Sequence, residues 1–268
     1  MKFMNKTNFQ KFVMIVRSAG FVDPSMIRSQ NVLNFAYILH LLSVSIKMVS
    51  AKIESVVRRW LVMSILTGRY SGSPESQFDL DVRRIEELGI EKYLSGVEES
   101  ELSDAFWSAG LLQRFDTSVA SSPLFGVYLA AQAKANDKGF LSRDITVGDL
   151  ITHKGDIHHI FPKNYLKKNG LQRGQYNQIA NYVMMQSEIN IAIRDRAPRD
   201  YFSEIIEHCK KGVSQYGAIT DITELNENFL MHCIPEGMEH KTIDDYSDFL
   251  AKRRKLMSDK IRDYYKKL

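Results

Sequence analysis

In the first half of the chain the apolar positions gather into long stretches separated by short polar breaks, a pattern that predicts helices. Residues 31–50 form one such stretch. Residues 52–66 (KIESVVRRWLVMSIL) form a second, with its charges confined to the first half. The segment RYSGSPES, residues 69–76, breaks the pattern with Gly, Pro and Ser. Pro74 followed by Glu75 then marks a new helix start, with apolar periodicity through Leu88. Pro123 opens a further helix through Ala135, and residues 136–139 end it. Beyond Gly139 the character changes to short apolar runs broken by polar turns, with His, Asn and basic residues concentrated between Lys154 and Arg199. A helical pattern resumes at Tyr201. From Asp221 the chain is polar and helical, and it ends in a mixed-charge stretch with a KRRK cluster at residues 252–255. Mixed-sign faces of this kind are the pattern of solvated helix surfaces.

The predicted architecture is therefore mainly α. A helical domain spans 1–138, a small module of strands and helices spans 139–212, and a helical extension spans 213–268. No internal repeat or low-complexity segment interrupts it.

Composition changes this picture little. The chain of 268 residues is 44% hydrophobic and 25% charged, ordinary for a globular protein. Thirty-six basic against 32 acidic residues leave a net charge of +4, compatible with a polyanionic partner without demanding one. Two cysteines, Cys209 and Cys233, are too few for a disulfide framework, which favours a reducing, cytoplasmic setting. The most membrane-like stretch, residues 32–46, falls short of the roughly 20 residues a bilayer span needs and carries Asn34 and His40. It predicts a buried helix and no membrane partner. The pairs His208–Cys209 and His232–Cys233 invite a zinc reading, but zinc ligands are normally spaced by a few residues within each pair, so packing roles are the better expectation.

The chemistry concentrates in DIHHIFPKNYL (156–166), IANYVM (179–184) and EINI (188–191). Metal-assisted hydrolysis of a phosphodiester needs a base for water, a cation on the phosphate and a group that holds the base in its working tautomer. Adjacent histidines on a strand point to opposite faces, so His158 and His159 can divide two of these jobs at a strand end. Pro162 suits the first position of a following helix, where its missing N–H is not needed. The result is a strand, turn and helix gathered with Asn181 and Asn190 around one site.

These residues resemble the HNH, or ββα-metal, nuclease motif. IHHIFP matches its first element, with His158 as metal ligand and His159 as general base. Asn181 matches the middle asparagine, whose side chain or backbone carbonyl orients the base, and Asn190 matches the last, a metal ligand on the helix. HHIFPK followed by IANYVMMQSEIN is similar more closely to the nuclease half of GmrSD-type restriction enzymes. RYSGSPES with the following LDVRRI is similar to the helical region that precedes that half, so the resemblance touches most of residues 30–205 and is tight at the two motifs.

The resemblance implies a metal-dependent endonuclease acting on DNA, in cytoplasmic defence against foreign or modified phage DNA. The family's nucleotide-hydrolysis motif, DGQQR, does not occur in this chain. A GmrS-like subunit or an N-terminal half of a longer protein is therefore an expected partner. One such site cuts one strand, so double-strand cleavage would call for a homodimer. RNA is not excluded as a substrate by the motif itself. Asp156 is a candidate outer-sphere partner or ligand on the same strand face as His158, and Lys163 and Lys167 are candidate phosphate contacts. Many HNH sites offer an aspartate where this chain has His158. Imidazole suits manganese or nickel better than it suits magnesium, so any of the three is a candidate ion and activity with Mn or Ni is expected to equal or exceed that with Mg. Activity is also expected to fall as pH drops through the histidine range, about 6.5 for an unperturbed imidazole. The rival expectation is a non-catalytic DNA-binding or assembly subunit that keeps an HNH-like scaffold.

Overall fold

A computed structural model describes residues 5–268. Helices carry 67% of the chain and strands 3%, so the protein is mainly α. Five helices build the N-terminal part: α1 (Lys6–Ser18), α2 (Gln30–Ser45), α3 (Ser50–Thr67), α4 (Pro74–Leu88) and α5 (Ile90–Glu101). A π-helical turn (Phe106–Gly110) leads into the short α6 (Leu111–Arg114), and α7 (Pro123–Lys134) follows. The local signals are those the sequence carries. Ser29 caps α2 by accepting from the Val32 N–H. Gly68 ends α3 in the left-handed conformation (φ 72°), which costs a glycine little, and Pro74 is the first residue of α4. The apolar stretch at residues 32–46 lies in α2, which buries Phe35, Ala36 and Leu39 completely. Among the described residues no helix is long and apolar enough to cross a membrane.

Helix α7 is the pivot of the fold. Every side chain from Leu124 to Gln132 is buried, and the helix packs on α3 and on the C-terminal helix α14 (Tyr246–Lys266). At Gly126 a Cβ would stand 2.6 Å from the Met26 carbonyl oxygen, so only glycine admits this approach.

The RYSGSPES segment serves packing. Asp81 of α4 is fully buried, and its carboxylate accepts from Arg69, from the Tyr70 and Tyr93 hydroxyls (2.7 Å each) and from Gln77 (2.9 Å). The Trp60 indole N–H in turn donates to the Tyr70 hydroxyl at 3.0 Å. A buried charge is tolerable only when so fully partnered, and this network ties α3, α4 and α5 together.

Between α7 and α14 lie α8 (Val147–Thr152), β1 (Ile157–His159), α9 (Lys163–Lys168), α10 (Arg173–Tyr176), a 3-10 turn (Ile179–Asn181), β2 (Tyr182–Met184), α11 (Ser187–Ile193), α12 (Pro198–Lys210) and α13 (Ile222–Met231), followed by two further 3-10 turns (Met238–His240 and Ile243–Asp245). Strands β1 and β2 pair antiparallel, with His158 opposite Val183 and His159 opposite Tyr182.

Among the described residues neither His–Cys pair belongs to a group of three or more metal-ligating side chains. His232 is fully buried, and its Nε2–H donates to the Lys138 carbonyl at 2.7 Å while Nδ1 accepts from Gln132. Cys209 donates its thiol to the Ile219 carbonyl. Burial drives the His232 pKa down to about 3. Unfolding releases that imidazole to its ordinary value near 6.5, so the unfolded chain binds the extra proton. The contribution of His232 is complete above about pH 6.5 and is lost as pH falls toward 3, by about 1.4 kcal/mol per pH unit inside that window. Urea unfolding at pH 7.5 and pH 5 is expected to show this loss, and the loss is expected to shrink in His232→Gln. Equal pH dependence in the two proteins would refute it.

The KRRK cluster departs from the expected solvated face. Arg253 is fully buried, whereas Lys252 pairs with Asp248 and Arg254 with Asp116 on the surface. The reason is helical geometry: Arg253 lies on the inward stripe of α14 with Phe249, Leu250 and Met257, while its neighbours point outward.

Candidate active site

The strand pair and the turn beyond it create the candidate site. His158 and His159 leave β1 on opposite faces: His158 is buried and His159 half-exposed. The His159 ring meets the ring of Tyr182, its cross-strand neighbour, edge to face with centroids 5.0 Å apart. Its Nε2 lies 3.0 Å from Asn177 Oδ1. Burial lowers the His159 pKa below its ordinary value; the Asn177 hydrogen bond opposes this, and the charges of Lys163 and His158 reinforce it. The lowered pKa favours the neutral ring, the form in which an imidazole nitrogen can accept a proton.

His158 differs. Its Nε2 is buried and makes no hydrogen bond to the described residues. Burial also lowers its pKa, with the charge of Asp156 acting in the other direction. Asp156 is exposed and sits two positions earlier, just before β1, close enough for its charge to act on His158.

The orienting contact expected from Asn181 is made by Asn177 instead. Asn181 is fully buried, and both ends of its amide are taken by the turn after β1: Oδ1 accepts from the Phe161 N–H at 2.8 Å, and Nδ2 donates to the Phe161 carbonyl at 3.1 Å. Its own carbonyl accepts from the Ile160 N–H at 2.9 Å. No hydrogen bond joins Asn181 to His159. Asn181 clamps the chain where β1 turns into Pro162 and α9, and so fixes the strand end that carries both histidines.

Asn190 lies in the middle of α11, half-buried, and its side chain makes no hydrogen bond to the described residues. No hydrogen bond joins it to His158. Pro162 stands immediately before α9 rather than as its first residue, a shift of one position. Lys163 is exposed, with its ammonium 5.7 Å from the Tyr176 ring centroid and close enough to His159 to depress its pKa. Lys167 is exposed and unpaired, and Lys168 beside it binds Asp195.

The segment carrying Asn177 and Asn181 is gripped from outside the module by α14. The Tyr246 hydroxyl donates to the Gln175 and Tyr176 carbonyls, Arg254 to the Gln178 side chain, and Arg253 to the Ala180 carbonyl at 2.7 Å. The C-terminal helix is therefore part of the scaffold of the site. Sequence reasoning missed Asn177 and this grip. Asn177 lies four residues before Asn181 in a polar turn that carries no periodic signal.

A divalent ion is the group the nuclease resemblance implies. The unpartnered, buried Nε2 of His158 fits such an ion, because a buried imidazole nitrogen without a partner is otherwise a cost. Among the described residues no group of three or more His, Cys, Asp or Glu side chains is placed to hold a metal.

No family model matches the chain, and no solved structure matches it. The chain is 27% identical over 217 residues to an uncharacterized protein of Methanocaldococcus jannaschii, a match that covers 76% of this chain and 36% of that protein. The chain thus spans little more than a third of the length of that relative.

Proposed function

We propose that this chain is a metal-dependent HNH-type endonuclease that hydrolyses DNA phosphodiester bonds, with His159 as general base. The observation that carries the reading is the pair of adjacent imidazoles. One has its Nε2 3.0 Å from an asparagine oxygen, and the other has a buried Nε2 without a hydrogen-bond partner among the described residues.

In the proposed reaction, neutral His159 takes a proton from the attacking water as the water oxygen bonds to phosphorus and the bond to the 3′ oxygen breaks. His158 and Asn190 are the residues that would hold the ion. When bound, the ion supplies positive charge to the scissile phosphate and the departing oxygen. Asn181 keeps the β1 turn rigid, so that both imidazoles stay in register with the strand. Lys163, adjacent to His159, adds positive charge on the side from which a phosphate would approach; Lys167 extends that charge along α9.

The motif resemblance supports a biological setting of cytoplasmic restriction of foreign or modified DNA, with a nucleotide-hydrolysing partner half. A donor set of one imidazole and one amide is neutral, so it lacks the hard anionic oxygens magnesium favours. Plasmid nicking with manganese or nickel is expected to match or exceed nicking with magnesium, and His158→Ala is expected to remove the difference. Strict dependence on magnesium would count against His158 as a ligand. DNA binding without cleavage, unchanged by His159→Ala, would favour a binding or assembly subunit instead.

A further inference from the structure

Asn177 is placed to decide which nitrogen of His159 does chemistry. Its Oδ1 faces Nε2 at 3.0 Å, and an amide oxygen can only accept, so Nε2 must carry the proton. Tyr182 closes one flank of the ring, and that ring is itself held by its hydroxyl against the Ser118 carbonyl. Nδ1 makes no hydrogen bond to the described residues and is not among the fully buried unpartnered atoms. The position of Asn177 is set by its surroundings. The Tyr176 carbonyl just before it is held by the Asn181 amide and the Tyr246 hydroxyl, and the Gln178 side chain just after it by Arg254.

We propose that Asn177 is a positioning residue that fixes neutral His159 as the Nε2–H tautomer and presents Nδ1 as the proton acceptor for water. The role of Nδ1 in the reaction rests on the nuclease reading; the tautomer does not. In this role Asn177 acts through His159, the ring its Oδ1 faces. Removing the partner that orients a metal-bound histidine through its second nitrogen costs about 10- to 100-fold, and an effect of that order is expected for Asn177.

The test is long-range 15N–1H NMR of the histidine-labelled, metal-free full chain at pH 7.5, with the His159 signals assigned by their absence in His159→Gln. Wild type is expected to show a protonated Nε2 and an unprotonated Nδ1. Asn177→Ala is expected to give a mixture of tautomers with the other histidine signals unmoved, and Asn177→Asp, which keeps the acceptor, to restore the Nε2–H form. In plasmid cleavage Asn177→Ala is expected to lower kcat about 10- to 100-fold with KM little changed, with partial rescue by Asn177→Asp. An Nδ1–H tautomer in wild type, or a tautomer indifferent to Asn177→Ala, would overturn the proposal. Should wild type cleave no DNA under any metal while the tautomer still answers to Asn177, the nuclease reading falls and the positioning of His159 stands.

Discussion

His159→Ala is expected to slow metal-dependent plasmid cleavage by about 100-fold or more, equivalent to about 2.7 kcal/mol of lost transition-state stabilisation, while leaving DNA binding and thermal stability near wild type. The size follows from the role. A positioned base removes a proton in the transition state, and without it the attacking water must lose that proton to solvent. The selectivity follows from the surroundings. His159 is half-exposed and gives up one side-chain hydrogen bond, to Asn177, and one ring contact, to Tyr182, so little of the core depends on it. Supercoiled plasmid, incubated with magnesium, manganese or nickel and scored for nicked product, reads the effect directly. Cleavage within threefold or so of wild type would remove His159 from the chemistry, because base removal does not leave rates so close. Loss of cleavage accompanied by loss of folded structure would be uninformative in alanine alone, so His159→Gln, which keeps a side chain able to reach Asn177, belongs beside it. It is expected to fold as wild type and to be equally slow.

Parts of this site were legible in the sequence for a physical reason, and parts were hidden for another. Helices α2, α3, α4 and α7 are written in long apolar stretches bounded by Gly68, Pro74 and Pro123, signals that act within a few residues of where they stand. The strand carrying His158 and His159 is likewise local, since alternation alone assigns the two rings to opposite faces. Asn177, which no sequence signal singled out, hydrogen-bonds His159 where Asn181 was expected to, because which of two asparagines near one turn reaches the ring depends on how residues 175–181 are held. What holds them comes from about 70 residues further along the chain, at Tyr246, Arg253 and Arg254. A charged cluster reads as solvated surface until the helix that bears it is docked, and only then does one of its four residues turn out to be fully buried.

That buried residue yields the second large expectation. Arg253→Ala is expected to destabilise the protein by about 2–4 kcal/mol, since the guanidinium satisfies two buried carbonyls, Ala180 at 2.7 Å and His232 at 3.1–3.2 Å, and each would lose its partner at a cost of about 1–3 kcal/mol. A cavity the length of an arginine adds to the cost. One term opposes these. Arg253 has no carboxylate partner among the described residues, and burial pushes its pKa down, so removing the charge relieves a desolvation penalty. The carbonyls and the cavity outweigh it, because the guanidinium is spread over several donors that are already bonded, whereas the alanine variant leaves two acceptors dry. For a chain of this size each kcal/mol moves Tm by about 2–4 °C, so a fall of about 5–15 °C is the expected reading in a thermal melt. Arg253→Met, which fills most of the space and lacks the donors, separates the terms: a fall about half as large assigns the remainder to the cavity. The same variants connect the helix to the site, since Ala180 immediately precedes Asn181 and the turn that Asn181 clamps. At temperatures where Arg253→Met remains folded, its cleavage rate is expected to drop more than its DNA affinity. A melt unchanged within about 2 °C in Arg253→Ala would mean that water replaces the guanidinium at both carbonyls, and that α14 grips the site through Tyr246 and Arg254 alone.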